Sequence, residues 1–183
     1  MKRLGILMPD LRERVEEDRG LLKRIQLHVP GFAGYRRRED LRQADNMLRI
    51  QMANSLKSAR ETTEEARELM VEENHYKELD RVGRIINRFR TLEGRVRHAE
   101  GGYTGISPAI RIEDREINQL YEYDAALLDD AAALGQDAAD LKVAAGDGKG
   151  LRKRTKGIRS RQDAFEDIFE KRILVISDTE VAK

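Results

Sequence analysis

The longest periodic stretch of the chain, residues 36–73, carries apolar or small side chains at successive three- and four-residue steps. This spacing is that of one face of an α-helix, and an unbroken helix here would be roughly 55 Å long at 1.5 Å per residue. The positions on that face are Leu41, Ala44, Leu48, Met52, Ser55, Ala59, Thr62, Ala66 and Leu69. Because the small side chains at its centre let a neighbouring helix approach closely, the pattern predicts a packed bundle or a coiled coil. A break near Thr62 and Thr63 is the alternative left open.

The same periodicity recurs elsewhere in the chain. We expect further helices over about residues 11–29, 76–99, 111–145 and 162–176. The first should end before Pro30, because proline disfavours a helical conformation in the residue that precedes it. Residues 174–176 are also compatible with a strand, although no partner strand is evident. The predicted fold class is all-α: an elongated bundle of about four long helices, arranged as two pseudo-repeated hairpins, with a short C-terminal helix.

Composition divides the chain into three regions. Residues 1–145 are expected to form the helical bundle, and residues 162–183 the C-terminal helix and tail. Residues 146–161 are rich in glycine and basic side chains, which is typical of a flexible linker.

Two short loops resemble each other. Each has the pattern Gly–aromatic–small–Gly–apolar, lies shortly after a histidine and precedes a predicted helix. Glycine and an aromatic side chain at a helix start suit a tight reversal between helices, with the ring folded back onto the bundle. We therefore interpret seven residues as structural hinges: Gly31, Phe32, Gly34, Tyr35, Gly102, Tyr103 and Gly105.

The overall charge balance limits the kind of partner. Charged residues make up 38% of the chain, and the formal net charge is only +1. The whole molecule is therefore not attracted to nucleic acid or to an anionic membrane, and any electrostatic partner must be recruited by a local patch. The chain has no cysteine, which excludes disulfides, zinc–thiolate sites and thiol nucleophiles. Its first apolar run stops at Pro9, too short for a signal peptide, and we expect a cytoplasmic protein.

The sequence offers no positive support for catalysis. Glu72 and His75 have the Glu-x-x-His spacing of di-iron bundles, but those sites need a second copy, and neither His28 nor His98 has a glutamate three residues before it. The glycine-rich loops match neither a phosphate-binding loop nor a dinucleotide fingerprint. We expect a non-enzymatic protein with no metal and no cofactor.

Three consecutive arginines, Arg36, Arg37 and Arg38, follow the first glycine loop. Beside exposed backbone N–H groups at a helix start they could hold a phosphate or an acidic side chain of a partner. The preferred interpretation is that Glu39 and Asp40 match the helix dipole while the arginines are solvated or pair locally.

The strongest charge cluster lies near the C-terminus. Seven cations follow one another with no acid among them: Lys149, Arg152, Lys153, Arg154, Lys156, Arg159 and Arg161. Such a segment could contact nucleic-acid phosphates or anionic lipid. It contains no aromatic residue for base stacking, and an acidic stretch precedes it, so solvated or self-paired charge is the preferred interpretation.

Part of the chain resembles a family of all-helical bacterial and archaeal proteins that has no established activity. The resemblance covers about Pro30 to Leu128. It is carried by Pro30-Gly31-Phe32-Ala33-Gly34-Tyr35, Arg38-Glu39, Arg42-x-Ala44-Asp45, Gly102-Tyr103-Thr104-Gly105, Leu120-Tyr121-Glu122-Tyr123-Asp124 and Leu127-Leu128. It implies a shared fold and nothing about chemistry.

These observations favour a helical scaffold or adaptor. Such a protein would act by contact with protein partners and by self-association into a homo-oligomer, with its basic segment on an anionic surface. The alternative is a nucleic-acid-associated accessory protein that binds the phosphate backbone through residues 149–161. No small-molecule substrate is evident from the sequence.

Overall fold

A computed structural model describes residues 11–34, 38–99 and 114–181 of the chain. Within residues 11–18, 38–42, 114–117 and 176–181 it describes the backbone alone. Every regular element in these ranges is helical, which confirms the all-α fold class. In chain order they are α1 (Leu11–His28), α2 (Arg38–Glu72), a 3-10 turn (Tyr76–Glu78), α3 (Leu79–His98), α4 (Asp114–Asp147) and α5 (Leu151–Val181).

Helix α2 is continuous over 35 residues, so the break considered near Thr62 and Thr63 is absent. Both threonine hydroxyls donate to the backbone carbonyl four residues earlier, Thr62 to Ser58 at 3.0 Å and Thr63 to Ala59 at 2.7 Å. The two hydroxyl groups are therefore hydrogen-bonded inside the helix and do not compete with its backbone hydrogen bonds.

The four helices α2 to α5 pack side by side with defined directions. Helices α2 and α4 run in the same direction, because Glu65 Oε2 lies 2.8 Å from Lys142 Nζ near one end while Asp45 and Asp124 share one arginine near the other. Helix α3 returns antiparallel to α2, and α5 returns antiparallel to α4. Helices α3 and α5 are therefore parallel to each other, and they pack over fewer residues than the other neighbouring pairs. We call the end at which α2 and α4 finish, and α3 and α5 begin, the turn end.

One apolar core runs through the bundle and includes side chains from all five helices. The largest fully buried side chains are Phe32, Phe89, Phe165, Phe169, Ile25, Leu48, Met52, Leu56, Met70, Leu92, Leu127 and Leu128. Helix α1 packs mainly on α4. The α2 positions predicted to be central, Ala59 and Ala66, are buried as small residues between larger neighbours.

The C-terminal helix differs from the sequence-based expectation. It was expected to be short and to begin at Gln162 after a flexible linker, but α5 begins at Leu151 and has 31 residues. Residues 174–176 are helical, so the strand alternative is wrong. The reason is a buried stripe at alternating four- and three-residue steps: Leu151, Thr155, Ile158, Gln162, Phe165, Phe169 and Arg172. Because this stripe already starts at Leu151, the basic residues occupy the outer faces of a helix and not a linker.

The reversal between α4 and α5 is confined to a few residues at the turn end. Gly148 and Gly150 have φ of +71° and +69°, a backbone conformation that glycine adopts at little cost. The ring of His75 occupies the space beside Gly148, so that a Cβ at this position would lie 2.5 Å from His75 Cε1. The domain boundaries proposed from composition remain predictions.

Candidate anion-binding groove

A groove of about 510 Å³ separates α3 from α5 near the turn end. Its lining contains three arginines from α3 and three cations from α5: Arg81, Arg84, Arg88, Arg152, Lys156 and Arg159. Ile85, Thr155 and Gln162 complete it, and none of these described lining residues is acidic or aromatic. We refer to it as the basic groove.

Helical spacing explains why the cations converge. The α3 arginines occupy positions i, i+3 and i+7, and the α5 cations occupy positions i, i+4 and i+7. Each trio therefore lies on one face of its helix, in a row about 10 Å long at 1.5 Å per residue. Because α3 and α5 run parallel, the two rows face each other across the groove.

Four of the six cations have no protein counter-charge within the part of the chain that the structure describes. Arg81 pairs with Glu78 at 3.1 Å, and Arg88 pairs with Asp163 at 2.5 Å and with Glu166 at 2.8 Å. No described residue forms an ion pair or a hydrogen bond with the side chains of the remaining four: Arg84, Arg152, Lys156 and Arg159. Positive charge is thus concentrated between two helices, where it repels itself and attracts anions.

Ion pairs close the α3–α5 seam beyond the groove. Arg95 Nη2 lies 3.1 Å from Glu170 Oε1, and Arg95 also pairs with Glu166, which Arg88 contacts as well. Beyond the groove, the positive charge of the α3–α5 seam is therefore neutralised by glutamates. Near the turn end, most of its cations have no described counter-charge. This contrast limits the groove to the part of the seam near the turn end.

Gln162 lies at the inner side of the groove with none of its surface exposed. Its Nε2 donates a hydrogen bond to the Ile85 carbonyl at 3.2 Å, whereas its Oε1 is buried and accepts none from any residue that the structure describes. A buried acceptor without a donor costs about 1–3 kcal/mol. This oxygen is thus suited to accept a hydrogen bond from a donor that enters the groove.

The groove continues around the turn end. An adjoining hollow of about 430 Å³ is lined by residues 74–78 on one side and by Gly148, Gly150, Leu151 and Arg152 on the other. Arg152 lines both spaces. Tyr76 stands in this hollow with 57% of its surface exposed, and its hydroxyl donates to Asn74 Oδ1 at 2.7 Å.

The seven cations predicted from the sequence are divided between different surfaces. Arg152, Lys156 and Arg159 line the basic groove, while Lys149, Lys153 and Arg154 line a separate hollow with Asp137. Arg154 and Arg161 pair with acidic residues of α4: Arg154 with Asp140 at 2.6 Å, and Arg161 with Asp137 at 2.8 Å and Asp130 at 3.4 Å. The hydrogen bond to Asp137 raises the pKa of Arg161, against the opposing effect of desolvation. Part of the segment is therefore self-neutralised and part is not.

The first glycine loop lies against α4. Gly31 and Gly34 have φ of +87° and +88°, and Phe32 between them is buried with its ring edge-on to Tyr121 at 6.4 Å. A Cβ on Gly34 would lie 2.6 Å from the Tyr121 hydroxyl, so only glycine fits there. The hinge role of these residues remains a prediction.

Several predicted site residues lie outside the described residues. They are Tyr35, Arg36 and Arg37 in the first loop, and Gly102, Tyr103 and Gly105 in the second. Arg38 is described by its backbone only.

No group of three or more His, Asp and Glu side chains in the described ranges could hold a metal ion. His75, half-buried, packs its ring against Gly148. Among the described helices, none combines the length and the apolar character needed to cross a bilayer.

Sequence reasoning missed the α3 half of the groove. Arg81, Arg84 and Arg88 have a spacing that places them on one helix face, and this spacing was the available signal. It is a weak one, because a row of cations on a helix is usually a solvated face. Compared with known proteins, the chain matches no protein-family model, no curated protein and no solved structure, so the resemblance over residues 30–128 remains an expectation.

Proposed function

We propose that this protein is a non-enzymatic, nucleic-acid-associated accessory protein whose basic groove binds the phosphate backbone. The observation that carries the proposal is the convergence of six cations from α3 and α5, four of which lack a carboxylate partner among the described residues. Cations that already pair within the protein, such as Arg154 and Arg161, are less available to a ligand.

Phosphate is the anion that this cation set fits best. Five of the six cations are arginines, whose planar guanidinium presents several N–H donors and matches the oxygens of a phosphate group. Two facing rows about 10 Å long suit a linear series of charges better than a single carboxylate. Neutralising backbone phosphates releases condensed counterions, which drives binding independently of sequence.

The experiment measures binding of a fluorescein-labelled oligonucleotide by anisotropy across a salt titration. The groove variant Arg84→Ala/Arg152→Ala/Lys156→Ala/Arg159→Ala removes the four cations that have no described partner. We expect weaker binding and a shallower dependence of log K on log salt, by about 0.7–0.9 for each lost phosphate contact.

A charge-matched variant provides the control. Arg19→Ala/Lys23→Ala/Arg67→Ala/Lys171→Ala removes four exposed cations that line none of the hollows described above. It should bind like the unaltered protein. Equal loss in the two variants, or an unchanged affinity and salt slope in the groove variant, would overturn the proposal.

Self-association, as in the scaffold expected from the sequence, is a second candidate. Met47 and Ile50 support it, since they lie three residues apart on one face of α2 with 40% and 42% of their surfaces exposed. A partner helix could cover this face. Light scattering tests the idea: Met47→Glu/Ile50→Glu should dissociate a dimer, and a protein that is monomeric at high concentration would rule it out.

We also propose that the two antiparallel pairs, α2–α3 and α4–α5, are the pseudo-repeated hairpins. Supporting this, α2 and α4 have 35 and 34 residues, run in the same direction and are each followed by an antiparallel helix. An experimental structure in which the pairs fail to superimpose, or in which the two glycine loops occupy unrelated positions, would contradict the repeat.

A further inference from the structure

The exposed ring of Tyr76 is the feature that the phosphate interface leaves unused. Tyr76 begins the 3-10 turn between α2 and α3, and 57% of its surface is exposed in the hollow that adjoins the basic groove. Its hydroxyl is held by Asn74 Oδ1 at 2.7 Å. Asn74 itself has φ of +62°, which directs the chain out of α2 and into the turn.

The turn that carries Tyr76 is anchored at several points. The backbone N–H of His75 donates to the Met70 carbonyl at 2.7 Å, and the His75 ring packs on Gly148 of the opposite hairpin. The phenol ring is therefore presented on an ordered turn and not on a free loop. A ring held in this way loses little conformational freedom when it binds a planar ligand.

The ring is also next to the phosphate-binding cations. Arg152 lines both the basic groove and the hollow of Tyr76, and Lys77 follows Tyr76 in the chain and lines the same hollow. A nucleic-acid strand that leaves the groove past Arg152 thus enters a space of about 430 Å³ that contains an exposed aromatic ring. A positively charged channel beside a stacking aromatic is the arrangement by which proteins bind single strands.

We infer that the nucleic acid bound by this protein is single-stranded, with its phosphates in the basic groove and one base stacked on Tyr76. The inference rests on the proposed phosphate-binding function and specifies its ligand. The bases of a duplex are paired and stacked on one another, so their faces are closed to a side chain. Only an unpaired base offers a free face to the Tyr76 ring.

The test uses the full chain and three labelled probes: a thymidine oligonucleotide of about 12 nucleotides, its fully abasic analogue and a duplex of the same length. Tyr76→Ala removes the ring, and Tyr76→Phe keeps the ring but removes the hydroxyl bond to Asn74. Because stacking on an aromatic side chain is lost, Tyr76→Ala should bind the thymidine strand about fivefold to a hundredfold more weakly. Tyr76→Phe should stay within about twofold of the unaltered protein.

The abasic probe separates stacking from a general structural effect. We expect Tyr76→Ala and the unaltered protein to bind it equally, since it offers phosphates and no base. We also expect the duplex to bind more weakly than the thymidine strand, with no further loss in Tyr76→Ala. Circular dichroism of each variant verifies that the helical content is unchanged.

Failure of this inference differs from failure of the proposed function. The groove function stands if all probes bind with a salt dependence that the groove variant abolishes. In that case the single-strand inference is nevertheless wrong if Tyr76→Ala has no effect on binding of the thymidine strand, or if the duplex binds as tightly as the thymidine strand. An equal loss by Tyr76→Ala on thymidine and abasic probes also overturns the stacking role. If the unaltered protein binds none of the probes, the phosphate-binding function itself fails.

Discussion

Arg172 of α5 and Asp124 of α4 form an ion pair inside the bundle, with Nε 2.5 Å from Oδ1 and side chains that are only 3% and 0% exposed. Arg172 Nη2 also lies 2.7 Å from Asp45 of α2, which in turn accepts a hydrogen bond from Arg49 at 2.7 Å. Arg49 donates further to the Arg97 carbonyl of α3 at 3.0 Å. One buried network therefore links all four packed helices at the end opposite the turn end.

Replacing Arg172 should be strongly destabilising. Arg172→Met takes a buried cation from between two buried carboxylates, and we expect the free energy of unfolding to fall by about 3–5 kcal/mol. Urea unfolding followed by circular dichroism measures the change. Lys171→Met, at the exposed neighbouring position, is the control and should remain within about 0.5 kcal/mol of the unaltered protein. A loss below about 1 kcal/mol for Arg172→Met would show that the network is dispensable.

Two adjacent aspartates of α4 should respond oppositely to replacement by asparagine. Burial raises the pKa of Asp129, but hydrogen bonds from Arg24 and His28 outweigh it and lower this pKa below its usual value. Asp129 therefore contributes stability at neutral pH, which is lost as the pH falls through its lowered pKa. Because the carboxylate is 44% exposed, Asp129→Asn should cost only about 0.2–1 kcal/mol at pH 7.

Asp130 has the opposite shift. Burial raises its pKa above the usual value, and the attraction of Arg161 offsets this only in part. The ionised form is thus disfavoured by folding, and stability falls as the pH rises from the unfolded-state pKa through the raised one. Asp130→Asn should raise the melting temperature at pH 7.

Thermal melts between about pH 3 and pH 7 test this pair. Both differences from the unaltered protein should shrink as the pH falls: the Asp130 difference disappears below the usual aspartate pKa, and the Asp129 difference decreases as the pH approaches its lowered folded-state pKa. Destabilisation at neutral pH by Asp130→Asn would contradict the dominant effect of burial.

The turn end offers a matched pair of glycines. Gly148 and Gly150 have nearly the same positive φ, but the His75 ring lies where a Cβ on Gly148 would be, whereas no atom of the described residues lies within 4 Å of a Cβ on Gly150. Gly150→Ala should cost about 1–2 kcal/mol for the left-handed backbone. Gly148→Ala should cost about 1–3 kcal/mol more, because the ring must move.

Chemical denaturation of both variants and of the double variant Gly148→Ala/His75→Ala measures these costs. Truncating His75 removes the clash. After subtraction of the effect of His75→Ala alone, Gly148→Ala should then lower the free energy of unfolding by no more than Gly150→Ala does. Equal losses at the two glycines would mean that the ring moves aside freely.

The basic-groove cations that have no described counter-charge should contribute to phosphate binding without stabilising the folded protein. Arg84 has no described carboxylate partner, whereas Arg88 on the same helix pairs with Asp163 and Glu166. Arg84→Ala should therefore leave the stability unchanged within about 0.5 kcal/mol or raise it by relieving repulsion, while Arg88→Ala lowers it by about 0.5–1 kcal/mol. Thermal melts at about 0.05 M and 1 M salt test whether these stability changes are electrostatic, since screening at high salt should reduce the effect of both substitutions. A destabilising Arg84→Ala would indicate a structural role for that cation.

Much of the secondary structure was predictable because helical periodicity is a local property. The spacing of Leu48, Met52, Ala59 and Ala66 predicted α2, and these residues are buried in the structure. The start of α5 was missed because two of its buried positions are polar, Thr155 and Gln162, which interrupts the apolar pattern that sequence reasoning follows. The Thr155 hydroxyl donates to the Arg152 carbonyl within the same helix, whereas the Gln162 amide nitrogen donates to the Ile85 carbonyl of α3, a partner that only the folded chain provides.

The candidate site was only half predictable. Arg152, Lys156 and Arg159 were identified as cations that could bind phosphate, but so were Arg154 and Arg161, which pair with α4. Helical spacing places the two sets on different faces of α5, but nothing in residues 149–161 indicates which helix each face meets. Likewise, the absence of an aromatic in that segment argued against a single-strand ligand until the fold placed Tyr76 beside Arg152.

The sequence by itself determined that this chain is helical and where its cations and apolar stripes lie, because both follow from residue spacing along one helix. The tertiary structure decided which charges are neutralised, because the strength of an ion pair depends on the distance between side chains and on their burial. Packing α5 against α4 on one side neutralises Arg154 and Arg161, and its parallel course beside α3 on the other leaves the basic groove open.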